Sequence, residues 1–207
     1  MAFITFEGID GSGKSTQIRL LGARLEDGCI ECTVLREPGG TDVSERVRSL
    51  LLDVSLRMEP MTELLLFSAA RSQLCRERII PMLAEGRVVI CDRFYDSTVA
   101  YQGGGREVGD FDWLRDFNRR VTGGLVPDRT YLLDVTGEIG AARRAGREDD
   151  RLESGGVDFF ERIRQTYLRI ASEEPERVKV IDGARPRDEI AAEIWEDASR
   201  LLAEPAE

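Results

Sequence analysis

Ala2 to Glu7 is an apolar run that delivers the chain directly into Gly8-Ile9-Asp10-Gly11-Ser12-Gly13-Lys14-Ser15-Thr16, after which residues 15–26 carry Ile18, Leu21 and Leu25 at helical spacing. A strand, a turn with the G-x-x-x-x-G-K-[ST] spacing and a helix, in that order, admit few folds. Gly8, Gly11 and Gly13 allow backbone conformations closed to other residues, so successive N–H groups can converge on phosphate oxygens near a helix N-terminus. Lys14 adds a mobile point charge that can reach β- and γ-phosphates, and the Ser15 hydroxyl is placed to ligate Mg²⁺. Composition points the same way. Lys14 and Lys179 are the only lysines among 29 basic residues, so lysine stands where a compact ammonium suits the loop better than a planar fork.

Downstream, short apolar runs alternate with amphipathic ones. Strands are predicted at 3–7, 33–36, 88–92, 130–135 and 178–181, and helices near 15–26, 42–53, 61–85, 111–121, 138–147, 157–172 and 187–202. Pro60 and Pro186 stand at helix starts, whereas Pro81 falls inside a helical run and should kink or break it near Ile80. Strands separated by helices predict an α/β chain of P-loop NTPase type: three layers, with a five-stranded parallel sheet flanked by helices on both faces. Ligands of such sheets collect at the carboxyl ends of the strands. No repeat or linker interrupts the pattern, so 207 residues read as one domain with site walls near 36–41, 92–105 and 143–153, the last being a lid segment.

A net charge of −10 argues against a general nucleic-acid or membrane-surface binder, so the field of any anion site must be local. No stretch of eighteen apolar residues occurs, and the N-terminal strand enters the loop too soon for a signal peptide, which implies a cytoplasmic protein. Cys29 and Cys32 form a C-x-x-C pair. Without a histidine in the chain, and with Cys75 and Cys91 distant in sequence, they read as small buried thiols rather than zinc ligands.

The run Val88-Val89-Ile90-Cys91-Asp92 is an apolar strand ending in a carboxylate, the pattern of an acid next to a nucleotide-bound metal. Arg93 follows and can hold a phosphate by bidentate hydrogen bonds. The densest charge cluster, Arg143-Arg144-Ala145-Gly146-Arg147-Glu148-Asp149-Asp150-Arg151, reads either as a solvated helix surface or as an arginine-bearing flap over a transferring phosphoryl group. In the second reading Arg147, beside Gly146, is the candidate transition-state arginine.

These segments are specific enough to carry a resemblance. Phe6 to Thr16, Arg36-Glu37-Pro38-Gly39-Gly40-Thr41, Leu66-Phe67-Ser68-Ala69-Ala70-Arg71, Asp92-Arg93-Phe94-Tyr95-Asp96-Ser97-Thr98, Ala100 to Arg106 and Leu132-Leu133-Asp134-Val135 together resemble the bacterial thymidylate kinases over nearly the full chain. The resemblance implies ATP as phosphoryl donor, dTMP as acceptor, Mg²⁺ as metal with Ser15 and Asp92 beside it, and a homodimer. It assigns residues 8–16 to ATP, Phe67 to stacking on thymine, Arg71 to a base carbonyl, and Thr98 and Gln102 to further thymidine contacts. Tyr101 is similar to the aromatic that crowds the sugar and disfavours a 2′-hydroxyl. Asp10 corresponds to an acid of the acceptor and metal network, and Arg93 to the arginine on the dTMP phosphate, with Glu37 nearby. Because Gly11 occupies the loop position where another form of the family carries a basic side chain, the resemblance puts the catalytic arginine in the lid, at Arg147. Arg143 then corresponds to an adenine-stacking partner, and residues 181–185 to the loop near the adenine.

Two other functions fit parts of the pattern. A deoxynucleoside kinase shares the loop, the Asp-Arg pair and an arginine lid, but acts on a neutral nucleoside. Asp134-Val135-Thr136-Gly137 fits the D-x-x-G of a nucleotide-dependent switch, although no Asn-Lys-x-Asp motif follows it.

Overall fold

The computed structural model describes residues 1–145 and 156–203. Its strands are β1 (Ala2–Glu7), β2 (Cys32–Arg36), β3 (Val88–Asp92), β4 (Arg129–Asp134) and β5 (Val178–Asp182). They form one sheet in the order β2-β3-β1-β4-β5 with every neighbouring pair parallel. Each connection must therefore cross over the sheet, and helices do this on both faces, as expected. α1 (Lys14–Asp27) follows the first strand, α2 (Asp42–Leu52) and α3 (Pro60–Leu74) the second, and a short α4 (Ile80–Ala84) leads into the third. Beyond it come α5 (Tyr95–Thr98), α6 (Phe111–Thr122), α7 (Gly137–Arg144), α8 (Gly156–Glu173) and α9 (Arg187–Ala203).

Strand periodicity sorts the core into two layers. Ala2, Ile4 and Phe6 of β1, with Ile90, Tyr131, Leu133 and Ile181, pack against Ile18, Leu21 and Leu25 of α1 and Ile190 and Ile194 of α9. Phe3, Val89 and Cys91 face the other way, onto Leu74, Cys75 and Ile79. Leu132 and Val178 join Phe159, Phe160, Ile163 and Tyr167 of α8 in a neighbouring cluster. All of β1 is buried, so its last residue, Glu7, enters the interior on the face of Phe3 and Thr5.

Helix boundaries follow local chemistry. Thr41, Asp110 and Thr136 cap α2, α6 and α7 by accepting backbone N–H hydrogen bonds, and Pro60 stands in the first turn of α3. Two expectations change. The interruption expected near Ile80 takes the form of a π-turn rather than a loop: residues Cys75–Ile79 widen, closed by Ile80 N–H donating to Cys75 O, and the chain continues as α4. Residues 92–105, expected as a loop, are helical from Tyr95, with a second π-helical stretch at Val99–Gly105. The glycines that disguise this stretch serve packing. A Cβ on Gly105 would lie 2.6 Å from the Phe159 ring of α8. The cysteines also divide, with Cys75 and Cys91 buried, Cys32 half-buried and Cys29 exposed.

The segment beginning at α5 is fastened from below. Arg177 donates to both oxygens of Asp96, at 2.7 and 3.0 Å, and also to the Thr130 hydroxyl at 2.7 Å, with both charged side chains almost fully enclosed. Removing Asp96 leaves the enclosed Arg177 guanidinium only its Nε contact to Glu174, at 2.7 Å, among the described carboxylates. Asp96→Ala should cost about 3–5 kcal/mol in urea denaturation, whereas a loss within error of zero would show that water replaces the carboxylate.

Candidate active site

Every strand of the sheet ends, at its carboxyl end, on a charged residue: Glu7, Arg36, Asp92, Asp134 and Asp182. Two open clefts lie over these ends. One is lined by Asp10, Gly11, Gly13, Lys14, Ser15, Thr16, Arg36, Asp92 and Arg143 among others. The other is lined by Pro38, Leu52, Phe67, Ser97, Thr98, Tyr101 and Gln102. Asp10, Glu37, Arg48 and Arg93 line both.

The first cleft is the glycine-rich loop wrapped over the start of α1. Gly11 has φ +83°, and a Cβ there would meet the Gly140 carbonyl of α7 at 2.5 Å, so this position admits no side chain. Lys14 curls into the loop and donates to Gly8 O and Ile9 O at 3.0 and 3.1 Å. Burial, with the charge of Arg93 acting in the same direction, pushes its ammonium down to about 8 against the pull of Asp10, Asp92 and Glu7. Gly8, Ile9 and Ser12 are buried within the loop, leaving backbone rather than side chains for a ligand. Ser15 Oγ donates to Asp92 Oδ2 at 3.3 Å, which pairs a hydroxyl and a carboxylate at the cleft floor. Among the described residues no three acids, histidines or cysteines cluster as a metal cage. The Ser15–Asp92 pair nevertheless suits Mg²⁺, which takes one or two protein ligands and completes its shell with water and phosphate oxygens. Arg143 donates to Gly183 O at 2.9 Å and approaches Gly11 O and Ser12 O at 3.4 Å, bringing α7, the loop and residues after β5 to one edge. Arg147 lies outside the described residues.

Arg93 stands between the clefts with φ +71°. Nη2 donates to Asp10 Oδ1 at 2.6 Å and Tyr101 Oη at 3.1 Å; Nη1 donates to Gly8 O at 3.0 Å, Ser97 Oγ at 3.2 Å and Tyr167 Oη at 3.3 Å. Burial opposes its charge, but Asp10 and the surrounding phenols and carboxylates outweigh it and hold the guanidinium cationic. Burial would likewise raise Asp10, yet Arg93, Lys14 and the Tyr101 hydroxyl hold this carboxyl well below the usual range.

Behind Arg93 lies a support that the sequence reading missed. Glu7 accepts from Phe94 N–H at 2.7 Å, Ser97 Oγ at 2.6 Å and Tyr167 Oη at 2.8 Å. Both hydroxyls thus spend their hydrogens on Glu7 and turn lone pairs to Arg93. Burial first, then the charge of Asp96, pushes the Glu7 carboxyl upward while Arg93 and the two hydroxyls pull it back. A charged residue closing an otherwise apolar strand was the available signal for Glu7. Tyr167 offered none, since its spacing in α8 is that of a core residue.

Arg71 is 1% exposed and lies directly against Thr98, a residue that lines the second cleft. Its guanidinium donates to Glu37 Oε2 at 2.7 Å, Thr98 Oγ1 at 2.7 Å, Asn118 Oδ1 at 3.0 Å and Phe94 O at 3.1 Å. The reason is Glu37, a buried carboxylate that needs a countercharge: burial pushes it up to about 7, and Arg71 only partly offsets this. Glu37 Oε1 has no hydrogen-bond partner at the wall shared by the clefts. Arg48, also missed, reaches the same wall and donates to Pro38 O at 3.0 Å. Asp134, of the D-x-x-G match, is held by Arg164 of α8 at 2.6 and 2.8 Å, and Thr136 of that match is a helix cap.

A family profile described as thymidylate kinase matches residues 6–194. Relatives bearing that name include a protein of Deinococcus radiodurans, 48% identical over 194 residues, covering 93% of this chain and 94% of its own length. Those of Symbiobacterium thermophilum and Pelotomaculum thermopropionicum are 47% and 44% identical, covering 93% and 97% of this chain and 90% and 94% of their own lengths. No helix among the described residues is long and apolar enough to cross a membrane. A glycine-rich loop and an aromatic-walled cleft sharing the wall of Asp10, Glu37, Arg48 and Arg93, in a chain that matches the profile almost end to end, lead to one conclusion: this chain belongs to the thymidylate kinase family.

Proposed function

We propose that the two clefts are the donor and acceptor halves of a single phosphotransfer site, with Arg93 in the wall they share. The chain is a dTMP kinase, a phosphotransferase with ATP as donor. The observation that carries the residue-level reading is the shared wall of Asp10, Glu37, Arg48 and Arg93. Residues 8–16 receive the ATP phosphates through backbone N–H groups and Lys14, with Arg143 on the adenine side. Phe67 stacks on the thymine, Thr98 and Gln102 contact the nucleoside, and Tyr101 crowds the sugar. Arg71 acts from behind by fixing Glu37 and Thr98.

In the reaction an oxygen of the dTMP phosphate bonds to the γ-phosphorus as the bond from that phosphorus to the β–γ bridging oxygen breaks, releasing ADP. The acceptor is already ionised, so no side chain must remove a proton, and alignment with charge neutralisation remains as the enzyme's task. Arg93 is oriented by Asp10, Tyr101, Gly8, Ser97 and Tyr167, which engage both Nη groups, and the acceptor phosphate takes over part of these hydrogen bonds. Ser15 Oγ and Asp92 would hold Mg²⁺, which would supply positive charge beside the donor phosphates. Donor phosphates would favour the charged form of Lys14 against the burial and the Arg93 charge that push it down. A lid arginine, Arg147, completes the neutralisation. The Gly11–Gly140 contact supports a lid source, because a side chain at residue 11 has no room.

The same reading includes a cytoplasmic homodimer. Met61 and Leu65 of α3, Leu50 of α2 and Trp113 of α6 are exposed, which supports a partner surface there. Light scattering should return twice the chain mass, and a monomer would remove this part.

ADP release with dTMP, and none with thymidine, is the expected outcome of a coupled assay; turnover of thymidine alone would restore the deoxynucleoside kinase. Lys14→Ala and Arg93→Ala should each lower kcat/KM by about 10²–10³-fold or more with the fold intact by circular dichroism. Arg147→Ala should reduce kcat strongly while ATP affinity changes little, and near-normal turnover would remove the lid arginine from the mechanism.

A further inference from the structure

α3 places a carboxylate where its apolar spacing calls for a hydrophobic residue. Glu63 is 1% exposed, among Leu64, Ser68 and Ala70 on the buried face of the helix. Acids are seldom enclosed to this degree without a specific task. Its Oε1 accepts from Gln102 Nε2 at 2.9 Å and faces Arg106 Nε at 3.4 Å. Gln102, itself 2% exposed, lines the cleft that also holds Phe67.

We propose that Glu63 sets the base specificity of this cleft by fixing which end of the Gln102 amide faces the substrate. A carboxylate in an ion pair carries only acceptors, so the NH₂ end of the amide must turn toward it. That argument rests on the chemistry of the pair and is independent of how alike the amide O and N look. The amide carbonyl Oε1 is then left to the cleft as an acceptor. An acceptor there suits a pyrimidine whose N3 carries a hydrogen, as thymine and uracil do. It opposes cytosine, whose N3 presents a lone pair at the same point. Phe67 cannot make this distinction, because either ring offers it a flat face. Glu63 is thus a positioning residue that touches no substrate, and it selects imide pyrimidines over aminopyrimidines through Gln102. The inference rests on the reading of this cleft as the dTMP site.

The test compares dTMP with dCMP in the full-length enzyme, using kcat/KM for each, for wild type, Glu63→Gln, Glu63→Met and Gln102→Leu. In Glu63→Met the amide loses its acceptor and is free to turn. The dTMP-to-dCMP ratio should fall by about tenfold or more, chiefly through KM for dTMP, with KM for ATP within about twofold. Glu63→Gln can offer either an acceptor or a donor to Gln102 and should give a smaller fall in the same direction. It also serves as the readout should the methionine variant fail to fold. A ratio unchanged in the folded Glu63 variants, while Gln102→Leu raises KM for dTMP, would overturn this inference alone and leave Glu63 a packing element. If Gln102→Leu leaves KM for dTMP unchanged, the assignment of the cleft itself falls.

Discussion

The position of one guanidinium organises the catalytic face. Arg93 follows the last residue of β3, and its backbone N–H donates to Phe6 O of the adjacent strand at 3.0 Å. From there its side chain contacts the glycine-rich loop at Gly8 and Asp10, the π-helical stretch at Tyr101, α5 at Ser97 and α8 at Tyr167. Elements far apart in sequence meet on one cation. A charge so enclosed is tolerable only because Asp10 and ordered dipoles compensate it, and the same compensation fixes its orientation.

The pattern recurs through the site. Arg71 holds Glu37 and Thr98 from beneath, Arg177 holds Asp96, and Glu7 orients the two hydroxyls behind Arg93. Buried ion pairs contribute little net stability relative to apolar packing. Their value here lies in direction: each fixes the orientation of the groups it touches. For phosphoryl transfer between two anionic nucleotides, where little covalent work falls to the protein, fixed charge and dipole geometry is the main resource available.

Close backbone packing adds a second constraint. α7 lies so near the loop that Gly140 meets the space of residue 11, and Arg144 of the same helix donates to Asp10 O at 2.6 Å while lying over the Phe160 ring at 4.4 Å. The loop is therefore shaped by α7. A side chain at residue 11 and this packing exclude each other.

The sequence by itself determined the parallel α/β order, the loop and its lysine, the Asp92-Arg93 pair at a strand end, and the family to which the chain belongs. These are local signals, in which spacing along a strand, turn or helix is itself the physics. It could not show that Pro81 is absorbed by a π-turn, or that the glycine-bearing run after Tyr95 is helical, because packing against α8 overrides the local propensity there. Nor could it show that Arg71 is enclosed by Glu37, Thr98 and Asn118, or that Glu7, Tyr167 and Glu63 hold their neighbours from within. Those roles depend on which charges meet in the interior, and a buried carboxylate finds its partner only when the sheet and helices close around it. In tertiary structure alone does the cost of isolating a charge from water select one neighbour and one orientation.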